Sequence, residues 1–268
     1  MTLRLNTDMR KITFFSIVDG VADAFPIAAA REFKFDWVAA VKNSYKSKME
    51  KNKHTRFNHL ARCPGVFDLL NTGYIIPMPW DITIETDGDM LNFAWHMPSK
   101  DIEDLYNTPL VTGHMPNGIA EHLPTRPFSL DSIIKLNLPW HIIVPPGVKF
   151  IMIPIPYPDS FEFENVIGIL DPSGSSEINL QLRWNVTNGI HTIKAGTPMV
   201  QLIPLTDEKF QLEVRNQTEK DKQWILKRRY LNNCTFFMNR SMISKIYHKF
   251  HAQINTVKVI LKKILQTK

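Results

Sequence analysis

The second half of the chain is a series of short apolar runs separated by turns, and this pattern limits the fold more than any other feature. The turns contain Pro-Pro-Gly, Asp-Pro-Ser-Gly, Asn188-Gly189 and Ala-Gly. Short strands with such turns between them are typical of a β-sandwich or barrel. No βαβ alternation occurs, which argues against a parallel nucleotide-binding sheet. The predicted strands are Trp140–Val144, Lys149–Ile155, Phe161–Leu170, Glu177–Trp184, Ile190–Lys194 and Met199–Leu205, with Phe210–Val214 as a further candidate.

The first half is predicted to combine one strand, a helix and a second group of strands. Lys11–Val18 suits a strand, and Asp36 is a candidate N-cap for a helix. That helix is expected to end in the polar run that starts at Lys46. The stretch Ser99–Pro127 is expected to be a long loop. Val66–Leu70 predicts a further helical turn, and strands are predicted at Tyr74–Met78, Ile82–Thr86 and Leu91–Met97.

The tail carries a different pattern, in which apolar residues recur at intervals of three and four with lysines between them. This periodicity predicts an amphipathic basic helix. The residues of the stripe are Ile243, Ile246 or Tyr247, Phe250, Ile254, Val257, Leu261 and Ile264. The predicted fold is therefore mostly β, an antiparallel sandwich or barrel of the jelly-roll or β-clip type, with an N-terminal helix and a C-terminal basic helix. Residues 1–72 form a segment packed on the body, 73–218 the sandwich body and 219–268 the tail.

Charge is divided unevenly along the chain, which has a formal net charge of +6 over 268 residues. The tail contains twelve Lys or Arg and two acidic residues, whereas the rest contains 20 basic and 24 acidic residues. Three tail partners fit: a neighbouring subunit or the chain's own body, an anionic membrane surface, or nucleic acid held by Lys227, Arg228 and Arg229. Because an apolar stripe must be buried against something, docking on protein or self-association is the preferred one of these three.

Cysteine usage and hydropathy indicate the compartment. Cys63 and Cys234 lie far apart, which suits reduced thiols rather than a disulfide framework. The first twenty residues lack the apolar core of a secretory signal, and no run approaches the roughly 18 apolar residues that span a membrane. We therefore expect a soluble protein of the cytoplasm, that of the host cell if a phage encodes the chain.

The segments WHIIVPPGVKFIMIPIP, NVIGILDPSGSSEINLQL and IKAGTPMVQLIPL resemble a family of proteins from tailed phages and some bacteria. Its members share a PWxIxxPxGxxxxxxP strand, a G-[IV]-[IL]-D turn and a G-T-P-x-x-Q-L-I-P strand. Upstream, CPGVFDLLNTGYIIPMPWDITIE is also similar, so the resemblance covers about Phe25–Leu205. The family has no assigned activity. Together with the appended helix, the resemblance favours a phage-type accessory protein, a non-enzymatic binding or assembly module.

A second resemblance is to the dUTPase and dCTP-deaminase β-clip proteins. Gly168-Ile169-Leu170-Asp171 and the segment Gly196–Leu202 are similar to their turn and strand motifs. The resemblance implies that Asp171 positions an attacking water and that Gln201 lies near the phosphates, in a nucleotide-processing enzyme. Gly174 and Ser175 stand where that family has a tyrosine and an arginine, and its Pro-Arg-Ser motif has no counterpart.

Two weaker candidate sites remain. His96, His114, His122 and His141 could converge with Asp101 or Glu121 in a cupin-like metal centre. No His-x-Asp/Glu pair supports that arrangement, so no metal ligand is predicted, and the cofactor is left open. Trp80 and Trp140 each follow a proline-marked bend and are candidate ligand platforms, although tryptophan in a sandwich usually belongs to the core.

Overall fold

The computed structural model describes residues 9–51, 58–98, 109–118, 122, 124, 126–158 and 161–234, and for 231–234 the backbone alone. These residues form fourteen strands and four α-helices, so the prediction of a mostly β protein is confirmed. The helices are α1 (Val21–Ala24), α2 (Asp36–Lys51), α3 (Pro64–Asn71) and α4 (Glu219–Cys234), with 3-10 turns at Ala30–Glu32 and Leu60–Arg62. No helix of the described residues is long and apolar enough to cross a membrane.

The strands form three sheets. Sheet 1 has the order β14-β1-β7-β11-β9, with β6 also paired to β7; sheet 2 is β10-β8-β13-β3-β2, and sheet 3 is β12-β4-β5. No sheet closes into a barrel within the described ranges, and the architecture is sandwich-like. The strands are β1 (Lys11–Ser16), β2 (Ala28–Ala29), β3 (Tyr74–Pro77), β4 (Ile82–Asp87), β5 (Ala94–His96), β6 (Val111–His114), β7 (Ile133–Ile143), β8 (Phe150–Ile153), β9 (Phe163–Asn165), β10 (Gly168–Leu170), β11 (Glu177–Trp184), β12 (Asn188–Ile193), β13 (Pro198–Pro204) and β14 (Gln211–Asn216).

One core joins the three sheets. In β11, alternate residues are buried, as expected for a strand with one face against a core. The central strand β7 is different, because almost all its residues are buried and both its faces are therefore covered. Buried side chains from all three sheets contact one another, among them Phe14, Trp140 and Trp184 from sheet 1, Tyr74, Phe150 and Leu202 from sheet 2, and Ile82 and Ile193 from sheet 3.

Four local predictions were wrong. Phe161–Leu170 is two strands, not one: β9 pairs with β11 in sheet 1, and β10 pairs with β8 in sheet 2. Asn188-Gly189 opens β12 instead of forming a turn. Pairing is not all antiparallel, because β1 and β14 run parallel. Helix α2 continues to Lys51, since the residues beyond Tyr45 include the strong helix formers Lys, Met and Glu.

The tail is described only as far as residue 234, and α4 spans Glu219–Cys234 within it. The apolar stripe predicted from Ile243 to Ile264 lies outside the described residues. The division of the chain at residues 72 and 218 stays a prediction. However, β1 lies inside sheet 1 between β14 and β7, so the N-terminal segment contributes a strand to the body.

Gln201 joins α3 to sheet 2. Its side chain is fully buried, and Nε2 donates hydrogen bonds to the carbonyl oxygens of Leu69 (2.7 Å) and Thr72 (2.6 Å) at the end of that helix. Helix α3 thereby covers a second, smaller cluster on the outer face of sheet 2, which contains Ala30, Phe35, Leu70, Ile75 and Ile155.

We expect Gln201→Met to destabilise the fold. The variant keeps the length of the side chain but leaves two carbonyl groups near the core without their donor, at a cost of about 1–3 kcal/mol. Urea unfolding followed by tryptophan fluorescence measures this loss. Gln211→Met in the edge strand β14 is the matched control, because Gln211 is exposed. Equal stability of the two variants would contradict the structural role of Gln201.

Candidate functional site

An apolar cavity of about 510 Å³ lies where β9 forms the edge of sheet 1. Its volume is within the range of about 300–1,000 Å³ that is usual for ligand pockets. It is lined by Phe35, Pro154, Ile155, Pro158, Phe161, Phe163, Glu164, Asn165, Asn185, Thr197, Pro198 and Met199. We call it the Asn165 cavity.

The walls come from both large sheets and from the segment before α2. Pro154 and Ile155 directly follow β8, Thr197 directly precedes β13, and Pro198 and Met199 begin β13, so this wall is formed by sheet 2 and the ends of its strands. Phe163 and Asn165 belong to β9 in sheet 1. Directly after Asn165 the chain leaves sheet 1 and enters sheet 2 as β10. The cavity therefore lies beside the point at which the chain crosses from one layer to the other.

Asn165 is the polar residue that distinguishes this cavity. It is 2% exposed, and its Nδ2 donates a hydrogen bond to the carbonyl oxygen of Met199 in the opposite sheet. Its Oδ1 is buried and has no hydrogen-bond partner among the residues that the structure describes. A buried acceptor without a donor costs about 1–3 kcal/mol.

The rim adds exposed aromatic surface. Phe161 is 74% exposed, although it lines the cavity. On the opposite face of β9, Glu164 forms an ion pair with Arg126. The cavity thus combines an apolar interior, one buried acceptor and an aromatic entrance. The sequence analysis did not predict this cavity. The one signal was Asn165, which lies inside the run Phe161–Leu170 that was predicted to be a single strand.

The structure does not bring Asp171 and Gln201 together. Gln201 pairs in register with Ile153 on β8, whereas Asp171 continues the pairing of Leu170 with Phe150. The two positions are therefore about four residues, or ~13 Å, apart along the strands. Because Nε2 of Gln201 donates to α3 and its Oε1 is buried, this side chain does not lie beside Asp171 as the dUTPase resemblance implies.

Asp171 is held in its own turn. Its carboxylate accepts hydrogen bonds from the main-chain N–H (3.0 Å) and the hydroxyl (2.6 Å) of Ser173, and it lies 2.9 Å from Lys149 Nζ. Burial works to raise the pKa of Asp171, but the bonds from Ser173 and Lys149 outweigh it and keep the pKa below its ordinary value. The carboxylate is ionised at neutral pH, as an ordinary turn aspartate would be.

The two candidate tryptophans lie in the core. Trp140 is fully buried and Trp80 is 7% exposed, which is the usual role of large aromatic residues in a sandwich. Their binding role stays a prediction that no exposed ring surface supports.

The histidine centre, which was the weaker candidate from the sequence, does not assemble in the described ranges. They contain no group of three or more His, Cys, Asp or Glu side chains arranged to hold a metal ion. Asp101 and Glu121 lie outside the described residues. His96 lies 3.8 Å from Glu85 on the exposed side of sheet 3, whereas His141 is buried in sheet 1.

Helix α4 packs on the outer face of sheet 1. Trp224 meets the ring of Phe15 edge-on at 6.1 Å, and the guanidinium of Arg228 lies over Trp224 at 4.7 Å. Arg228 also donates to the carbonyl oxygens of Pro172 (2.6 Å) and Ser173 (2.9 Å). Within the described residues, α4 therefore docks on the chain's own body.

The other two residues predicted to contact nucleic acid, Arg229 and Lys227, have different environments. Arg229 forms an ion pair with Glu177 at 3.3 Å. Lys227 lies on the outer side of α4, where Leu226 and Tyr230 are 65% and 70% exposed. Arg228 and Arg229 therefore hold the helix in place, and Lys227 is directed to the surroundings.

Asp221 anchors the start of α4. It is buried and accepts hydrogen bonds from Arg215 at 2.5 and 3.0 Å, while it exchanges hydrogen bonds with Thr218 in a capping box. Burial works to raise the pKa of Asp221, but the bonds from Arg215 and Thr218 lower it to about 2.

His141 lies beneath the same helix. Its ring stacks on Phe15 at 5.3 Å, and Nδ1 shares a hydrogen bond of 3.0 Å with the hydroxyl of Ser176. Burial lowers the pKa of His141 to about 4; Glu177 works to raise it and Arg229 to lower it. The imidazole is therefore neutral at physiological pH.

We expect the neutral state of His141 to make the fold sensitive to mild acid. The unfolded chain binds the proton near pH 6.5 and the folded protein near pH 4, so this stabilisation is complete above pH 6.5 and is lost as the pH falls to about 4. His141→Gln should flatten the free energy of unfolding across that window in urea titrations. The exposed control His96→Gln should keep the wild-type slope, and a slope unchanged in His141→Gln would contradict the assignment.

At lower pH, Asp221 should determine how the free energy of unfolding changes with pH. Its folded pKa of about 2 lies below the ordinary 3.8, so its contribution is present above pH 3.8 and lost as the pH falls towards 2. Asp221→Asn is expected to be less stable than wild type at pH 7, with the difference vanishing near pH 2. Asp207→Asn, on an exposed residue, is the control. A difference that persisted at pH 2 would mean that the carboxylate charge is not the stabilising feature.

The comparisons with known proteins add no relative. The chain matches no protein-family model, no curated protein and no solved structure. The resemblances to tailed-phage proteins and to β-clip enzymes therefore rest on the sequence motifs alone.

Proposed function

We propose that the chain is a non-enzymatic binding or assembly module, an accessory protein of the tailed-phage type that its motifs resemble, and that it binds its partner through the Asn165 cavity. The observation that carries this proposal is the apolar cavity of about 510 Å³, whose lining residues come from both large sheets and the segment before α2. A jelly-roll or β-clip type of sandwich belongs to the proposal as its expected fold.

The chemistry of the cavity defines what it binds. Phe35, Ile155 and Met199 offer apolar walls, which favour an apolar group because its transfer from water contributes about 25 cal/mol for each Å² buried. An apolar group is therefore the expected ligand class.

The alternative, a nucleotide-processing enzyme that uses Asp171, has less support. The ionised carboxylate of Asp171 suits a base, but its neighbours Lys149 and Ser173 already engage it. Gln201 is turned towards α3. Hydrolysis of a deoxynucleoside triphosphate that Asp171→Asn abolishes would establish this alternative and overturn the binding-module proposal.

A pair of small probes tests the cavity. We expect benzyl alcohol and toluene both to bind, and both to perturb the NMR amide signals of Phe163 and Met199, because the cavity walls are mostly apolar. Thr197→Phe should abolish the binding of both probes by filling the cavity; Thr197 is only half-buried, so this variant is expected to fold. Failure of both probes to bind the wild-type protein would refute the proposed site.

A further inference from the structure

We infer that the outer face of sheet 2 beside β10 binds the apolar stripe of this chain's own tail, Ile243–Ile264, which lies outside the described residues. This docking surface shares no lining residue with the Asn165 cavity, so its test is independent of the proposed function.

The strand register places a row of isoleucines on that outer face. Ile169 on β10 lies opposite Ile151 on β8, and Ile151 also lies opposite Ile203 on β13. The residues next to them in sequence are buried in the common core, namely Leu170, Phe150 and Leu202. Because successive side chains of a strand point to opposite faces, the three isoleucines are directed away from the core.

The same face extends along the strands. Ile153 is two residues from Ile151 on β8, and Leu205 continues the pairing of β13, since its N–H donates to the carbonyl oxygen of Lys149 at 2.9 Å. Ile169 and Leu205 are each more than half exposed. We call this surface the isoleucine face; it consists of Ile151, Ile153, Ile169, Ile203 and Leu205. A contiguous exposed apolar surface of this kind marks a site of interaction.

The neighbouring part of the same sheet surface already carries a helix. Gln201, which lies opposite Ile153, is bonded to the end of α3, and Ile75 on the next strand is buried in the cluster that α3 covers. The isoleucine face is three strands wide and extends about 14 Å along them, which suits two to three turns of one further helix. An amphipathic helix is the structure that the sequence of the tail predicts.

Helix α4 carries the tail to this edge of the body. Arg228 donates to the carbonyl oxygens of Pro172 and Ser173, which lie in the turn directly after β10. Helix α4 ends at Cys234, six residues or about 9 Å further along its axis. The tail therefore begins close to the strand that carries Ile169.

The connection to the stripe is long enough to reach the isoleucine face. Residues 235–242 separate Cys234 from Ile243, the first residue of the stripe. Such a connection can span ~27 Å when extended, whereas stacked sheets lie about 10 Å apart. Because α4 already contacts the turn at the edge of the sandwich, the tail has only to pass this edge to reach the outer face of sheet 2.

Charge favours the isoleucine face over the exposed side of α4. Leu226 and Tyr230 on that side are also exposed, but Lys227 and Arg229 line the same surface. The stripe is itself bordered by lysines, and the chain has no acidic residue after Asp221. Packing the stripe on α4 would therefore bring like charges together, which is unfavourable. The body, in contrast, carries 24 acidic and 20 basic residues, so its net charge attracts the tail.

A nitroxide spin label on Thr256→Cys tests this contact by NMR in the full chain, with Cys63→Ser and Cys234→Ser to leave a single thiol. Thr256 falls opposite the apolar stripe in the helical pattern, so the label does not replace a docking residue. The label should broaden the amide signals of the isoleucine face. The signals to be measured are those of Ile151, Ile169 and Ile203.

Ile169→Lys should abolish this broadening at the rest of the face, because it places a positive charge where the stripe docks. Trypsin should then cleave after Lys258 several-fold faster than in the wild-type protein. Ile190→Lys is the matched control, since Ile190 is an equally exposed isoleucine on β12 of sheet 3 and should leave both results unchanged. Ile254→Asp alters the stripe instead of the body and should act as Ile169→Lys does.

Other occupants give different results. Broadening that is strongest at Leu226 and Tyr230 would place the stripe on α4 and overturn the inference. Broadening of isotope-enriched, unlabelled protein by spin-labelled protein in a mixture would show that the stripe binds a second copy, which would also overturn it. Unchanged trypsin cleavage in Ile169→Lys would do the same. Benzyl alcohol and toluene should bind this variant as they bind the wild-type protein, so failure of one proposal is distinguishable from failure of the other.

Discussion

Two adjacent phenylalanines in β1 require that both faces of sheet 1 be covered. Phe14 and Phe15 point to opposite sides of the strand, and both are fully buried. Phe14 packs into the common core, 5.5 Å from Tyr74. Phe15 is covered from outside by Trp224 and by the guanidinium of Arg215. If the outer face of sheet 1 were open to water, Phe15 would be exposed. The position of α4 therefore depends on the pair Phe14 and Phe15.

The parallel pairing of β1 with β14 makes that cover possible. Only Gln217 and Thr218 separate β14 from α4, and Gln217 is fixed to the end of β1 through Ser16 and Ile17. The helix must therefore start beside the strand whose outer face it covers. One consequence is electrostatic: His141 becomes buried and neutral beneath α4, and the Arg215–Asp221 pair loses part of its solvent. The attachment of the helix thus acquires a dependence on pH that an exposed helix would lack.

Much of the architecture followed from sequence patterns. Alternation and turn residues predicted the strands of the second half well, because side-chain burial with a period of two is a local property. The parallel β1–β14 pair joins residues about 200 positions apart, and no local pattern encodes such a pairing. The crossing at Val166 was missed because the run Phe161–Leu170 contains no proline, and no glycine before Gly168, to mark a break between two strands. The adjacent aromatic residues Phe14 and Phe15 were the sequence signal for a strand that is buried on both faces. Such a strand predicts that the outer face of sheet 1 is covered.

The candidate site was less predictable than the fold, for a related reason. Asp171 and Gln201 were singled out by short motifs, and such motifs occur wherever a turn or a helix end needs an aspartate or an amide. Ser173 and Lys149 account for the first, and the carbonyl groups at the end of α3 account for the second. The hydrogen bonds of Asp171 are made within its own turn and to Lys149, whereas Gln201 keeps one buried atom, Oε1, without a partner among the described residues.

Asn165 lies where the two large sheets are tied together, and the fold uses only half of its amide. Its Nδ2 donates to the carbonyl oxygen of Met199, whereas its Oδ1, like Oε1 of Gln201, is buried without a donor in the described residues. An aliphatic residue at this position would remove the unpaired acceptor, and a larger neighbour would fill the cavity, so both features reduce stability in the free protein. Structures retain such local costs at sites where a ligand offsets them. The cavity is open to an occupant and the buried acceptor is not, so an apolar occupant would offset the cost of the cavity.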